Sequence, residues 1–331
     1  MGDAHPDGLQ RLLSGADWDA DAVCQQLRAV IVAQMGYEPG IGVIDESGFV
    51  KKGQCSVGVK RQYCGRVGKI ENCQVGVYLG YVAPQGHALI DRELYLPQDW
   101  CADPDRRAQA KVPETVTFAT KPQVAQRLLE RSWAEGIPMQ WVVGDSTYGN
   151  APALREAIAA SGRYYVLEIP KSAHVHVDAQ PAQTVETLVA TFPDTAWQRY
   201  ALNLGEQGVR WSDWAAQRVA STTDSLGEQW LLVRRTVAEP PDTSYFLSNA
   251  PAQTSLETLA QVGGSRYHVQ HLLEEAKGSA GLAQYEVRHW QSWYRHMTLA
   301  LMAHAWLTLL RHTDAQKKSA APAFLVLAEC G

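Results

Sequence analysis

Between Pro122 and Ile169 the chain alternates a helical period with short apolar runs. A helix is expected from Pro122 to Glu135, a strand from Trp141 to Val143, a helix from Ala151 to Ala160 and a strand from Tyr164 to Ile169. Alternation of that kind requires a sheet covered by helices, which confines the chain to an α/β architecture. Upstream, a helix from Asp19 to Gln34 precedes three strand-like runs, Ile41 to Val50, Cys55 to Tyr63 and Cys73 to Tyr81, separated by turn residues as in a meander. Two of the apolar runs lead directly into an acid: Ile41-Gly-Val-Ile-Asp45 and Trp141-Val-Val-Gly-Asp145. In open α/β sheets ligands gather along one edge, at the strand ends, so the two aspartates are expected to be neighbours.

A carboxylate at a strand end is held rigidly, and two or three of them converging can grip a pair of Mg²⁺ or Mn²⁺ ions through hard oxygen ligands. Such a pair activates water and stabilises the leaving oxygen of an in-line attack on a phosphodiester. The competing reading is local: an aspartate in this position commonly caps a turn or a helix.

Composition narrows the field. With 331 residues, 46% hydrophobic and 20% charged, the chain has enough apolar content for one large core or two modest domains and too few charges for a disordered protein. No secretory leader pattern opens it, and the apolar stretch from Met297 to Leu310 is too short to span a membrane, so the expectation is a cytoplasmic protein without a membrane partner. Cys55, Cys64 and Cys73 recur at even spacing without a Cys-x-x-Cys pair, which fits reduced, packed cysteines better than a zinc site. The net charge of −5 is adverse to phosphate binding, but Lys51, Lys52, Lys60, Arg61, Arg66 and Lys69 form a basic ribbon between Ser47 and Ile70 that contains no acid. Met1 to Val50, by contrast, carries eight acids against Arg11 and Arg28.

Several blocks, taken in order, resemble a known family. They are Val43 to Gly53, Ser56 to Tyr63, Gly68 to Val77, Ala88 to Pro97, Phe118 to Pro122 and Val143-Gly-Asp-Ser-Thr-Tyr-Gly149, followed by Glu274 to Gly278, Gly281 to Trp290 and Trp293 to His304. Their order and spacing, from about Leu9 to about Arg311, resemble the DDE-type insertion-sequence transposases, ribonuclease H-like endonucleases of bacteria. The resemblance implies a ribonuclease H-like mixed sheet flanked by helices, with a β-rich insertion subdomain. It implies Asp45 and Asp145 as the first two catalytic acids and metal ligands, and a third acid on the helix after Arg266. There the sequence departs. Relatives carry Arg, then Glu four residues later, then Lys seven further on, whereas the matching positions here are Arg266, Gln270 and Lys277. At ~100° per residue these three share a face roughly 40° wide, so the face is kept while its acid has become an amide. Glu274, one turn on and about 40° around, is a candidate substitute, and Glu275 points further away.

The same resemblance implies two Mg²⁺ or Mn²⁺ ions and double-stranded DNA, the transposon ends, as partner, held by a dimer. Lys51, Lys52, Lys60, Arg61, Arg266, Lys277, Arg288 and Arg295 are the candidate DNA contacts. Residues 1–40 are expected to form a helical N-terminal segment, 41–171 and 252–312 the two parts of the core, 172–251 the insertion and 313–331 a polar tail. The match is already under way near Gly8, where relatives have a further helical segment before it, so the N-terminal segment is expected to be short. In the insertion, Trp211, Trp214 and Trp230 can either stack on an unpaired base or fill a small core, and His296 and His304 are expected to be buried and hydrogen-bonded. Gln270 leaves two functional readings open: a transposase core that cleaves and transfers strands, or a transposase-derived protein that binds DNA or regulates without cleaving. Recruitment of the core to other chemistry is the third.

Overall fold

The computed structural model describes residues 6–35, 39–178, 180–203 and 209–320. In chain order, helices α1 (Pro6–Ser14) and α2 (Ala20–Met35) precede strands β1 (Gly40–Val50), β2 (Lys60–Cys64), β3 (Lys69–Ala83) and β4 (Gly86–Tyr95). Short helices α3 (Gln98–Cys101) and α4 (Pro104–Gln109) lead to α5 (Lys121–Ala134), β5 (Met139–Gly144), α6 (Ser146–Gly149), α7 (Pro152–Ala160) and β6 (Tyr164–Ile169). The insertion supplies β7 (His174–His176), β8 (Gln183–Thr184), α8 (Val185–Val189), β9 (Gln198–Asn203), β10 (Val209–Ser221), β11 (Glu228–Thr236) and β12 (Thr243–Ser248). Helices α9 (Leu256–Gly264), α10 (Arg266–Ser279) and α11 (Trp290–Ala320) follow.

β1 runs parallel to β5, and β5 parallel to β6, while β3 pairs antiparallel with β1 and β4 antiparallel with β3. The order β4-β3-β1-β5-β6, three strands in a meander followed by two reached through helices, is a ribonuclease H-like sheet. Its two faces are buried by different partners. Val43, Val143 and Val166 face a cluster containing Leu259, Val269, Leu272, Ala276 and Trp293 from α9, α10 and α11. Ile44, Val142 and Leu167 face a second cluster with Val124, Leu128 and Ile158 from α5 and α7. Central strands covered on both sides read as the continuous apolar runs seen in the sequence.

The insertion does not build a sheet of its own. β12 pairs antiparallel with β6, and β11, β10, β7 and β8 follow, so the core sheet continues without a break into the 172–251 segment. A buried ion pair fastens the two regions from the side. Arg155 of α7 is 2% exposed and donates from Nε and Nη2 to Asp224 Oδ2 at 2.9 and 2.7 Å, with a further bond from Nη2 to Thr223 Oγ1.

Several boundaries differ from those expected from the sequence. Residues 51–59 form a loop and β2 begins at Lys60; the β-branched alternation there serves burial, since Val57 and Val59 plug the loop into the core. Cys64 and Cys73 are buried on β2 and β3, but Cys55 in that loop is exposed. The helix expected from Leu256 to Lys277 breaks at Ser265, after Gly263 and Gly264. Gly263 lies against Trp214 and Val166, where an added Cβ would come within 3.3 Å of each, so close packing of α9 on the sheet is retained at the expense of helix propensity. α11 continues beyond Arg311 to Ala320, and Phe324 to Leu327 lie outside the described residues. Among the described residues no helix is long and apolar enough to cross a membrane.

Candidate active site

The strand register builds the site. Ile44 pairs with Gly144, and Gly144 with Leu167. The next residue on each strand is therefore Asp45, Asp145 and Glu168, a row of three carboxylates at one level. Parallel neighbours lie ~4.8 Å apart and side chains alternate between faces, so all three project to the face of Val43, Val143 and Val166, the one that α10 covers. Asp45 is not at the end of its strand, as the sequence suggests; β1 runs on to Val50 beside β3, and only its pairing with β5 stops at Ile44. The pairing stops there because β5 ends at Gly144, and Asp145 turns into α6.

Each acid is held by its surroundings. Asp45 Oδ1 accepts the Glu46 amide at 2.7 Å. Asp145 caps α6, accepting the Thr147 amide at 2.9 Å, so the local capping role exists alongside its place in the row. Gly149 closes that turn against β6: a Cβ there would sit 1.8 Å from the Glu168 carbonyl oxygen, which explains the glycine of Gly-Asp-Ser-Thr-Tyr-Gly. Glu46, next in sequence, turns to the opposite face, where the Tyr148 hydroxyl donates to it at 2.7 Å and Lys121 forms an ion pair with it.

Burial pushes the Asp45 carboxyl up to about 7, and repulsion from Asp145 and Glu46 adds to the shift, only partly offset by Arg266. Burial also raises Glu168, with Arg266 opposing and Asp145 reinforcing the shift. Carboxylates that raise one another in a partly enclosed row are a donor set that a hard divalent cation fits, because its charge removes the repulsion that the bare row bears.

Above the row lies the Arg266, Gln270 and Lys277 face of α10. Arg266 forms an ion pair with Glu168. Gln270, exposed, lines a cleft with Glu168, Arg234, Ser244, Arg266 and Tyr267. Burial lowers Lys277, and Arg66 at the end of the basic ribbon lowers it further while Asp45 counteracts, so the ribbon approaches the acids at this point. Glu274 is exposed and neighbours Lys277. Glu275 faces away, towards His271, His304 and Arg311.

Two expected DNA contacts are corrected. Lys51 is 9% exposed, donates from Nζ to the Tyr285 carbonyl at 2.5 Å and sits 3.7 Å from the centre of that ring. Arg295 is 2% exposed and donates to the Trp18 carbonyl at 2.9 Å. Both cations tie elements together in the interior, out of reach of a phosphate. Lys52, Arg61 and Arg288 are exposed, and Lys60 is half exposed with Asp99 2.6 Å away. Trp214 is fully buried against Phe246 and Trp230 donates to the Pro251 carbonyl, whereas Trp211 is 55% exposed. His296 bonds the Gly281 carbonyl at 3.1 Å, but neither ring nitrogen of His304 has a hydrogen-bond partner among the described residues.

Sequence reasoning missed Glu168 and Arg234. Glu168 sits in the run Tyr164 to Ile169, and counting one residue past the paired positions of adjacent parallel strands is the signal that finds it. Arg234, 7% exposed and bonded to Ser244 Oγ at 2.9 Å, has no such signal.

A mixed sheet in this strand order, flanked by helices on both faces, defines a ribonuclease H-like fold. Residues 1–214 match the family model described as DDE superfamily endonuclease, and the chain belongs to that family. It is also 23% identical over 289 residues, 86% of this chain and 69% of the other, to a protein of Microchaete diplosiphon named as a probable transposase for insertion sequence element IS701.

Proposed function

We propose that the protein is a transposase core that cleaves and transfers DNA strands, with Asp45, Asp145 and Glu168 as its acids. The observation that carries this reading is the level row of three carboxylates on β1, β5 and β6. Gln270 offers a neutral amide oxygen at the family's third position, and Glu168 supplies the missing negative charge one strand away from Asp145. The three carboxylates would hold two Mg²⁺ or Mn²⁺ ions, whose bound state supplies an activated water and a charge sink for the leaving oxygen. Arg266, paired to Glu168, fixes that side chain and places a guanidinium beside the scissile phosphate; Lys277 adds charge next to Asp45. Exposed Lys52, Arg61 and Arg66 lead the duplex backbone to this point, and two transposon ends held together call for a dimer on DNA.

The change at Gln270 favours a second reading, a transposase-derived DNA-binding protein without cleavage. Nicking and strand transfer on end-bearing DNA, measured for wild type, Glu168→Gln and Gln270→Glu in Mg²⁺ and Mn²⁺, separate the two. The first reading expects wild-type activity that falls about 100-fold in Glu168→Gln. Activity seen only in Gln270→Glu establishes the second, and wild-type activity indifferent to Glu168→Gln removes that residue from the acid set.

A further inference from the structure

α10 carries a second set of ligand-type side chains, roughly 100–140° around the helix from Gln270. His271 and Glu275 stand one turn apart, with His271 Nδ1 3.5 Å from Glu275 Oε2. His87 of β4 enters the same space, and ligand atoms of His87, His271 and Glu275 all lie within 4.8 Å of one another. His304 of α11, 1% exposed, directs Nε2 to the same carboxylate oxygen from 3.6 Å.

Hydrogen bonding does not account for this cluster. The buried His304 ring meets the Glu275 carboxylate only at 3.6 Å from Nε2, longer than a normal hydrogen bond, and its Nδ1 has no hydrogen-bond partner among the described residues. Nitrogen and oxygen donors bound at ~2.0–2.1 Å around a tetrahedral ion stand roughly 3.4 Å apart, close to the separation of Glu275 Oε2 from His271. Arg311 pairs with the other oxygen of Glu275, which turns Oε2 towards the rings, as outer partners of ligating carboxylates do.

We propose that His87, His271 and Glu275 bind a borderline transition-metal dication such as Zn²⁺ at a site separate from the carboxylate row, with solvent as fourth ligand and His304 as an outer partner of the Glu275 carboxylate. Imidazole-rich donors select Zn²⁺, Co²⁺ or Ni²⁺ over Mg²⁺, whereas an all-carboxylate row selects the hard ions. The ion would clamp β4 to α10, fixing the helix that presents Arg266, Gln270 and Lys277.

The test is titration of tag-free, metal-stripped full-length protein with Co²⁺, followed by its visible spectrum. One equivalent should give the intense bands of a tetrahedral site, lost on adding Zn²⁺ and unaffected by excess Mg²⁺. His87→Ala and His271→Ala should each lose the bands and bind at least 100-fold more weakly, with the helical circular dichroism retained. Asp45→Asn combined with Asp145→Asn should leave them intact. Zn²⁺ alone should also raise the melting temperature of the wild type, a measurement independent of whether the histidine variants fold. A wild type without tetrahedral bands or without a Zn²⁺-dependent melting shift overturns the proposal. So do bands that persist in the histidine variants or vanish in the aspartate double variant.

Discussion

Glu168 follows the residue that pairs with Gly144, so it stands level with Asp145 one strand further from Asp45, and Arg266 of α10 reaches down to it. This relationship makes Arg266 a positioning residue for Glu168. Arg266→Lys should keep a cation nearby but lose the planar guanidinium whose Nη1 bonds Glu168 Oε2 and orients the carboxylate. In a cleavage assay we expect a rate loss about tenfold or more at saturating DNA, with DNA affinity changed much less. Equal losses in affinity and rate would show that Arg266 acts only by binding phosphate.

The charge on Asp45 sets a pH dependence. Its carboxyl has an ordinary value of 3.8 and sits at about 7 in the folded chain, raised by burial and by Asp145. Well below pH 4 the group is protonated folded and unfolded, so the penalty is absent; between about pH 4 and 7 the unfolded chain ionises while the folded chain keeps its proton, so stability falls across that window by as much as a few kcal/mol and levels off above 7. In EDTA, Asp45→Asn should therefore be stabilising relative to wild type, and more so at pH 8 than at pH 5. Thermal melts at both values check this, and a gain that is larger at pH 5 contradicts it.

Gly149 has no space for a side chain because β6 backbone fills the position. Gly149→Ala must push α6 off Glu168 and displace Asp145, at a cost on the order of 3 kcal/mol. Urea denaturation should register that loss, and a variant as stable as wild type would mean that the turn moves freely.

Removing Asp224 leaves Arg155 buried and uncompensated. Asp224→Ala should cost about 3–5 kcal/mol, while the paired change of Arg155 to Met with Asp224 to Leu should recover most of it. Double-variant denaturation curves measure the recovery, and simple additivity would argue against a coupled pair.

The basic ribbon divides by exposure. Lys52→Ala and Arg61→Ala should each flatten the dependence of log affinity on log salt by about 0.9, as loss of one phosphate contact does. Lys51→Met, inside the protein, should leave that slope unchanged and act on stability. A slope change for Lys51 would place it on the DNA after all.

The α/β alternation, and the position of Asp45 and Asp145 directly after apolar runs, are legible in the sequence because apolar periodicity and turn residues are local signals. Ile41 to Ile44 and Trp141 to Gly144 are buried on both faces and therefore read as unbroken apolar runs. Glu168 was not legible, since its place beside Asp145 lies in register against a strand 23 residues earlier in the chain, Leu167 pairing with Gly144, and no local pattern carries register. Lys51 and Arg295 were misjudged for a related reason: a sequence shows charge, but which cations turn inward depends on whether Tyr285 and Trp18 offer carbonyls and rings to receive them. The loop at 51–59 imitates a strand because Val57 and Val59 are selected for anchoring.

Glu168 has one further neighbour, Phe246 of β12, its partner across the junction where the parallel core meets the antiparallel extension. The acid nearest the insertion is thus stitched by main-chain bonds to the insertion's own strands. Because β6 and β12 share a strand ladder at this position, a tilt of the wing reaches the Glu168 side chain as a change of aim rather than being taken up in a loop.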